Sequence, residues 1–257
     1  MNRVTILGAT GMLGSACLKV MPGASHPSRA EFDAIKDKPN FQGWVINCIG
    51  AIPQRILDED LMTELNSNFP KRLAQTNAKI IQIATDCVFS GLTGSYTESS
   101  TPDPVDAYGR SKLVGEIPTA MNIRCSIIGP DKTNASLFEW VRTQPEGATI
   151  QGYEDHIWNG VSTHVFAKLA KGIIENNFWI NHKIHFVPRN ALTKYEIVKL
   201  IAKKSGRDDL NIIPKDTGQK VNRTLKTDYP ELNKKLWKIA GYDEILSIEQ
   251  IIQEMPL

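Results

Sequence analysis

Val4-Thr5-Ile6-Leu7-Gly8-Ala9-Thr10-Gly11-Met12-Leu13-Gly14 is the stretch whose reading decides the fold. A short apolar run of β type ends at one glycine, and a helix-like segment (12–21) begins after the next. The spacing is GxxGxxG, one residue longer in its first gap than GxGxxG. Glycine permits the tight turn, lets backbone approach a pyrophosphate, and lets helix and strand pack closely. The helix N-terminus then offers free N–H groups and a partial positive charge to phosphates. A structural turn would use the same residues. Its place after the first strand of an alternating chain favours a dinucleotide site, with Gly8, Thr10, Gly11, Met12, Leu13 and Gly14 around the phosphates.

Further β-type runs follow at 44–47, 79–84 and 122–127, with a helix-like segment at 58–75 whose apolar positions Leu61, Leu65, Phe69 and Leu73 lie four apart. Strands alternating with helices predict a parallel, doubly wound α/β sheet of Rossmann type, its strands buried on both faces. Later, Thr193-x-x-Glu196 and Ser247-x-x-Gln250 read as capping boxes opening helices, the first ending at Gly206. Two units are expected: residues 1–128 plus about 161–182 as the cofactor lobe, and about 129–160 plus 183–257 as a smaller α/β substrate lobe. Only about 30 residues separate the glycine loop from Trp44, so the second βα unit is expected to be trimmed.

Composition bounds what this fold can do. The 257 residues carry 30 Lys+Arg and 28 Asp+Glu, a formal charge of +2, which disfavours nucleic acid as a partner. No stretch approaches the ~18 apolar residues of a membrane span, and Val4–Leu7 is too short for a signal sequence. Cys17, Cys48, Cys87 and Cys125 form no CxxC; they read as reduced thiols of a cytoplasmic protein, with no metal site. Residues 183–257 hold 14 basic and 10 acidic side chains. That excess suits a lobe that meets an anion, and equally a solvated basic surface.

An NAD site usually has an acid about 20 residues beyond the loop. Here Ser28 and Arg29 stand there, a hydroxyl and a guanidinium suited to a 2′-phosphate, which favours NADP(H) over NAD(H). Cys48, Ile49 and Gly50 follow one strand and Ala84 closes another, where they can flank the cofactor. Tyr108-Gly109-Arg110-Ser111-Lys112 places a phenol and an ammonium on one helix face. The cation is expected to lower the phenol's pKa and let it pass a proton to a developing alkoxide. An exposed amphipathic pair would look the same. Thr85 ends the strand at 79–84 and can hydrogen-bond a substrate carbonyl or simply cap the next turn.

Together these residues resemble the extended short-chain dehydrogenase/reductases, and more narrowly the dTDP-4-dehydrorhamnose reductase-like group of nucleotide-sugar enzymes. The likeness is densest over residues 83–116, IATDCVFSGLTGSYTESSTPDPVDAYGRSKLVGE, against the group's S-T-D-x-V-F-x-G…Y-x-E…P-x-x-x-Y-G-x-S-K-x-x-G-E. Asn66 matches a V-N-A position whose asparagine helps hold the active-site helix. Asn122-Ile123-Arg124-Cys125-Ser126 matches I-L-R-T-S, and Asn222-Arg223-Thr224-Leu225 faintly echoes N-S-x-L. The resemblance implies Tyr108 as proton donor, Lys112 on the nicotinamide ribose, Thr85 on the keto oxygen and Asn66 in the proton relay. It implies reduction of a 4-keto group on a nucleoside-diphosphate 6-deoxy sugar, in deoxysugar biosynthesis for surface polysaccharide. Thr85, Asp86, Cys87, Val88, Tyr108, Tyr153, Trp158, Asn159 and Arg223 are the expected substrate contacts. Trp158 could instead pack between lobes, and His156 reads as a surface-loop histidine. The chain departs from the group at Cys87, at Ile127-Ile128-Gly129-Pro130 and across 152–163, segments that shape the sugar pocket. A nucleotide-sugar 4-epimerase with bound NAD and a non-catalytic NADP-binding regulatory subunit are the alternatives; a homodimer is left open.

Overall fold

The computed structural model describes residues 3–132 and 134–257. Its centre is a five-stranded, all-parallel sheet in the order Val4–Leu7, Gln42–Asn47, Asn77–Ala84, Met121–Arg124, Lys183–His185. Alternate side chains of these strands point to opposite faces. Ile6, Trp44, Ile46, Ile81 and Ile123 enter one core with helices Met12–Val20 and Thr163–Glu175. Leu7, Val45 and Ile80 enter another, with Phe69 and Leu73. The expected Rossmann-type α/β class is therefore the observed one.

On the outer side of the first strand lies one parallel bridge, Thr5 to Ser25, with Ile6 N–H donating to Ser25 O at 2.8 Å and Ser25 N–H to Val4 O at 2.9 Å. Residues 26–41 hold no further strand; Phe32 and Phe41 cover the core there instead. The second βα unit is thus trimmed to a single bridge. The chain leaves the first strand toward Ser25 and returns to its other side at Gln42–Asn47. That reversal is the switch point where open α/β sheets bind ligands.

The helical segment 59–73 is capped by Asp58, which accepts from the Asp60 and Leu61 N–H groups, and carries a π-turn at Glu64–Asn68. A π-turn inserts a residue and rotates the buried face. Met62, Asn66 and Ser67 are buried there, while Leu61 and Leu65 are only half-buried, unlike a simple four-residue stripe.

A smaller unit is built from Thr149–Tyr153 paired with Asn211–Lys215, and from His156–Trp158 between Leu192–Thr193 and Val221–Asn222. Phe138, Val141, Ile150, Trp158, Ile197, Ile201 and Ile252 form its core. Both capping boxes are present, opening helices Lys194–Lys204 and Ile248–Glu254. The expected boundary at 182/183 shifts. Lys183–His185 extends the main sheet, and helix Pro230–Ile239 adds Leu236 and Trp237 to the main core, because a sheet edge and an apolar helix face must both be covered.

Gly14 has no room for a side chain: a Cβ there would collide with the Gly8 carbonyl and the Ala9 Cα, both backbone. Gly14→Ala should cost about 1–3 kcal/mol in denaturant unfolding, the usual penalty of overpacking. Gly23→Ala, where nothing lies within 4 Å, should stay within about 0.5 kcal/mol of the parent.

Candidate functional site

A cleft of about 480 Å³ opens over the C-terminal ends of the parallel strands, a volume typical of small-molecule sites. Gly11, Met12 and Leu13 form one wall. Gly11 caps the helix with no side chain on its N-terminal N–H groups, and its own N–H donates to Gly8 O at 3.0 Å. Gly8 has φ +75°, and a Cβ there would lie 3.0 Å from the Cys48 carbonyl carbon and the Ile49 nitrogen. The backbone is therefore bare and close where a pyrophosphate would dock. Gly8, Thr10 and Gly14 shape this loop without lining the cleft; Cys48, Ile49, Gly50 and Ala84 line it. Ser28 and Arg29 do not. The Ser28 N–H and hydroxyl both donate to Glu31 at 2.8 Å, and the exposed Arg29 donates to Asp33 at 3.2 Å.

Tyr108 and Lys112 stand one turn apart on helix Ala107–Val114, which Asp106 caps by accepting from Gly109 N–H at 2.7 Å. Gly109 allows the helix to lie directly on the Cys87 carbonyl. Thr85 closes its strand as the cap of the turn Asp86–Val88, accepting from Cys87 N–H at 3.2 Å, and its hydroxyl donates to Asp86 Oδ1 at 3.3 Å. Thr85 therefore caps the turn, as one reading had it, and it also lines the cleft. Burial pushes the Tyr108 phenol above its ordinary pKa, with the neighbouring Cys87, Asp86 and Asp106 adding to the rise, against the Thr85 hydroxyl. The expected lowering is not found. Desolvation outweighs any cation, and the phenol stays protonated. Lys112 is buried, donates to Ile83 O at 2.7 Å, and is pushed down by burial to about 8.

Asn66 sits behind these groups, 2% exposed. Its carboxamide accepts from Ala51 N–H at 2.8 Å and donates to Ala51 O at 2.9 Å and to Ser111 Oγ at 3.0 Å. The π-turn aims it between the Ala51 loop and the Tyr108 helix.

The opposite wall comes from the smaller unit. Trp158 lines the cleft, donating from Nε1 to Ser126 Oγ at 2.8 Å, and Arg223 lines it while donating from Nε to Phe89 O at 3.0 Å. Asp86 and Cys87 line it too. Burial raises both pKa values, Asp86 against the pull of Arg223 and Lys194, and Cys87 to about 12. Three expected substrate contacts lie elsewhere. Val88 is packed with Phe89, Tyr96, Val187 and Leu225. Tyr153 stands at the surface against His156. Asn159 is occupied by the Leu225 backbone, accepting from its N–H at 2.9 Å and donating to its carbonyl at 2.7 Å.

Sequence reasoning missed Lys194, Arg55 and Asp131. Lys194 begins its helix immediately after the Thr193 cap, lies 5.4 Å from the Trp158 ring centroid, and has its pKa lowered by burial against the attraction of Asp86 and Cys87. Arg55 and Asp131 join the loops of the two units by an ion pair at 2.6 Å. The Thr193 capping box located the helix that presents Lys194; no sequence signal marked the Arg55–Asp131 pair.

The RmlD substrate binding domain model matches residues 50–255 of this chain. A Danio rerio protein called methionine adenosyltransferase 2 subunit beta is 28% identical, over 83% of this chain and 77% of that one. A Streptomyces niveus dTDP-4-keto-6-deoxy-D-glucose reductase is 22% identical, over 95% and 93%. The crystal structure of Bacillus anthracis dTDP-4-dehydrorhamnose reductase in complex with NADP superposes with a TM-score of 0.78, at 19% identity over 99% of this chain and 98% of that one. With four-fifths of its length matched by one family model, the chain belongs to the RmlD substrate-binding-domain family.

Proposed function

We propose that this chain is an NADP-dependent reductase of the extended short-chain dehydrogenase/reductase type, acting on the 4-keto group of a nucleoside-diphosphate 4-keto-6-deoxy sugar. It would serve deoxysugar biosynthesis for surface polysaccharide in the cytoplasm. The observation that carries the reading is the convergence of Thr85, Tyr108 and Lys112 with the bare glycine loop in one cleft. The Streptomyces niveus relative supports the substrate class, and the Bacillus anthracis structure with NADP supports the cofactor.

The cofactor, when bound, supplies the hydride. The chain's own residues supply the rest. The loop at Gly8–Gly14 presents N–H groups and the helix dipole to the pyrophosphate. Lys112, already donating to one carbonyl, has further N–H donors for the nicotinamide ribose. Thr85 orients the keto oxygen, and the protonated Tyr108 phenol donates the proton as that oxygen gains charge. Arg223 and Lys194 face the substrate's diphosphate from the smaller unit, which would act as the sugar-nucleotide lobe. Trp158 offers an apolar face to the sugar. Ser28 and Arg29 stand near enough in sequence to the Ser25 bridge to meet a 2′-phosphate once Glu31 and Asp33 release them.

One observation favours a second reading, an NADP-binding regulatory subunit: the Danio rerio relative is named as a subunit. Turnover separates the two. A panel of nucleoside-diphosphate 4-keto-6-deoxy sugars should oxidise NADPH with at least one member. Firm NADPH binding with no turnover on any would favour the subunit.

Three variants and conditions test the mechanism. Tyr108→Phe should lower kcat by roughly 10²-fold or more while leaving the NADPH Kd unchanged; undiminished turnover would sink the assignment. Lys194→Met should raise KM about tenfold, the loss of about 1.4 kcal/mol of charge-assisted binding, with kcat little changed. The Lys112 ammonium is the working form and its pKa is about 8, so kcat/KM should fall as pH rises through that value and level off below it. A flat profile there would remove Lys112 from the site.

A further inference from the structure

The chain between the second sheet strand and the next helix borders the cleft as a strap. Its two ends are tied down. Asn66 holds both backbone groups of Ala51, and Asp58 caps helix Glu59–Thr63. Between them lie Ile52, Pro53, Gln54, Arg55, Ile56 and Leu57. A single turn orders this stretch, with the Arg55 and Ile56 N–H groups both donating to Ile52 O at 3.0 Å. Leu57 is 90% exposed, and among the described residues none of the six belongs to a hydrophobic core. Among the same residues, the side-chain hydrogen bond that joins the strap to the rest of the molecule is Arg55 Nη2 to Asp131 Oδ2, at 2.6 Å.

The two partners are built differently. Asp131 is a fixed post beyond strand Ile127–Ile128. Its side chain is 4% exposed, and the oxygen that meets Arg55 also accepts from Ala135 N–H at 3.2 Å. Its own N–H donates to Glu139 Oε1 at 3.3 Å. Arg55 is the arm. It stands on the exposed turn with 34% of its side chain in water. Both residues line the cleft, Arg55 with its neighbours Ile52, Pro53 and Gln54, and Asp131 with Ala135 and Leu137. The pair therefore spans the cleft from one loop to the other. What it encloses is about 480 Å³, the size of one modest small-molecule site. The reaction proposed above brings two nucleotides there at once.

We infer, on the reading of this cleft as a nucleotide site, that residues 52–57 are a lid and that the Arg55–Asp131 pair is its latch, which parts for a nucleotide to enter. Lids that admit ligands move on a few loop residues and need a closing contact that can be broken and remade. A partly exposed ion pair is such a contact, whereas core packing is not. When the latch parts, Asp131 keeps the Ala135 N–H and Arg55 reaches water. The lid is held by charge, so salt loosens it.

Asp131→Asn tests this in the full chain. It removes the charge that holds Arg55, keeps an oxygen for the Ala135 N–H, and strands no buried ion. Hydrogen exchange of residues 52–57, read by mass spectrometry without ligand, should quicken about fivefold in this variant. Added salt should quicken it in the parent and leave the variant unchanged, a difference that a packing role would not produce. The NADPH association rate constant, from stopped-flow fluorescence, should rise by a similar factor in Asp131→Asn and in Arg55→Met. A folded Asp131→Asn chain that matches the parent in strap exchange or in NADPH association would overturn the latch. So would an Arg55→Met chain that binds NADPH more weakly at an unchanged association rate, since Arg55 would then be a ligand contact. Salt-sensitive strap exchange that Asp131→Asn abolishes, in a chain that binds no NADPH, would uphold the latch and count against the reductase reading instead.

Discussion

The carboxamide of Asn66 is the joint on which the site hangs. One side chain satisfies both backbone groups of Ala51 and donates to Ser111. It thereby ties the loop after the second sheet strand, which lines the cleft beside the glycine loop, to the helix that presents Tyr108 and Lys112. Each of these groups is buried, so losing the amide would strand several polar atoms at about 1–3 kcal/mol apiece. Ser67 repeats the tie, its hydroxyl donating to Ser111 O at 2.7 Å. The two attachments explain why the 59–73 segment accepts a π-turn: regular α geometry would carry Asn66 past Ala51. Gly115 completes the joint, since any Cβ there would meet the Asn66 carbonyl.

The parts legible in the sequence were those set by local rules. The glycine spacing, the apolar strands, both capping boxes and the Tyr108–Lys112 pair each follow from contacts within about five residues. The same holds for the trimmed second unit, because chain length alone left no room for it. What stayed hidden depends on segments far apart. Val88 and Cys87 are neighbours in a matched motif, yet the turn sends one into a packed core and the other into the cleft. Asn159 looked like a sugar contact because it is polar and near Trp158. Only the fold brings the Leu225 backbone to it. The Tyr108 phenol was expected to be acidified by Lys112. Burial decides otherwise, and burial cannot be read from a spacing of four.

The trimmed unit also changes how the glycine-loop end of the cleft is built. A full second strand would fix the residue that meets the ribose, whereas here one bridge at Ser25 is followed by a loop. Ser28 and Arg29 are therefore positioned by side-chain contacts to Glu31 and Asp33 and not by a strand register. Exposed contacts of this kind contribute little to stability, so the loop can give them up at small cost. The rest of that wall relies on backbone: Gly8, Gly11 and the Cys48–Ala51 loop give it a shape that needs no register with the missing strand.

The cleft's charge follows from the same reasoning applied to its other wall. Two cations, Lys194 and Arg223, converge there on one carboxyl, Asp86. Burial opposes ionisation of Asp86 and favours loss of the Lys194 proton, so neither group is at ease without the other. Attraction between them offsets part of the desolvation, but two cations to one carboxyl leaves the wall with positive charge in excess. The bland net charge of the chain conceals this, because acidic side chains away from the cleft offset it. A ligand that brings its own negative charge to Lys194 and Arg223 relieves the imbalance, whereas a neutral sugar does not. Asp86, whose burial opposes its own charge, is thus a reluctant counter-ion for Lys194 and Arg223.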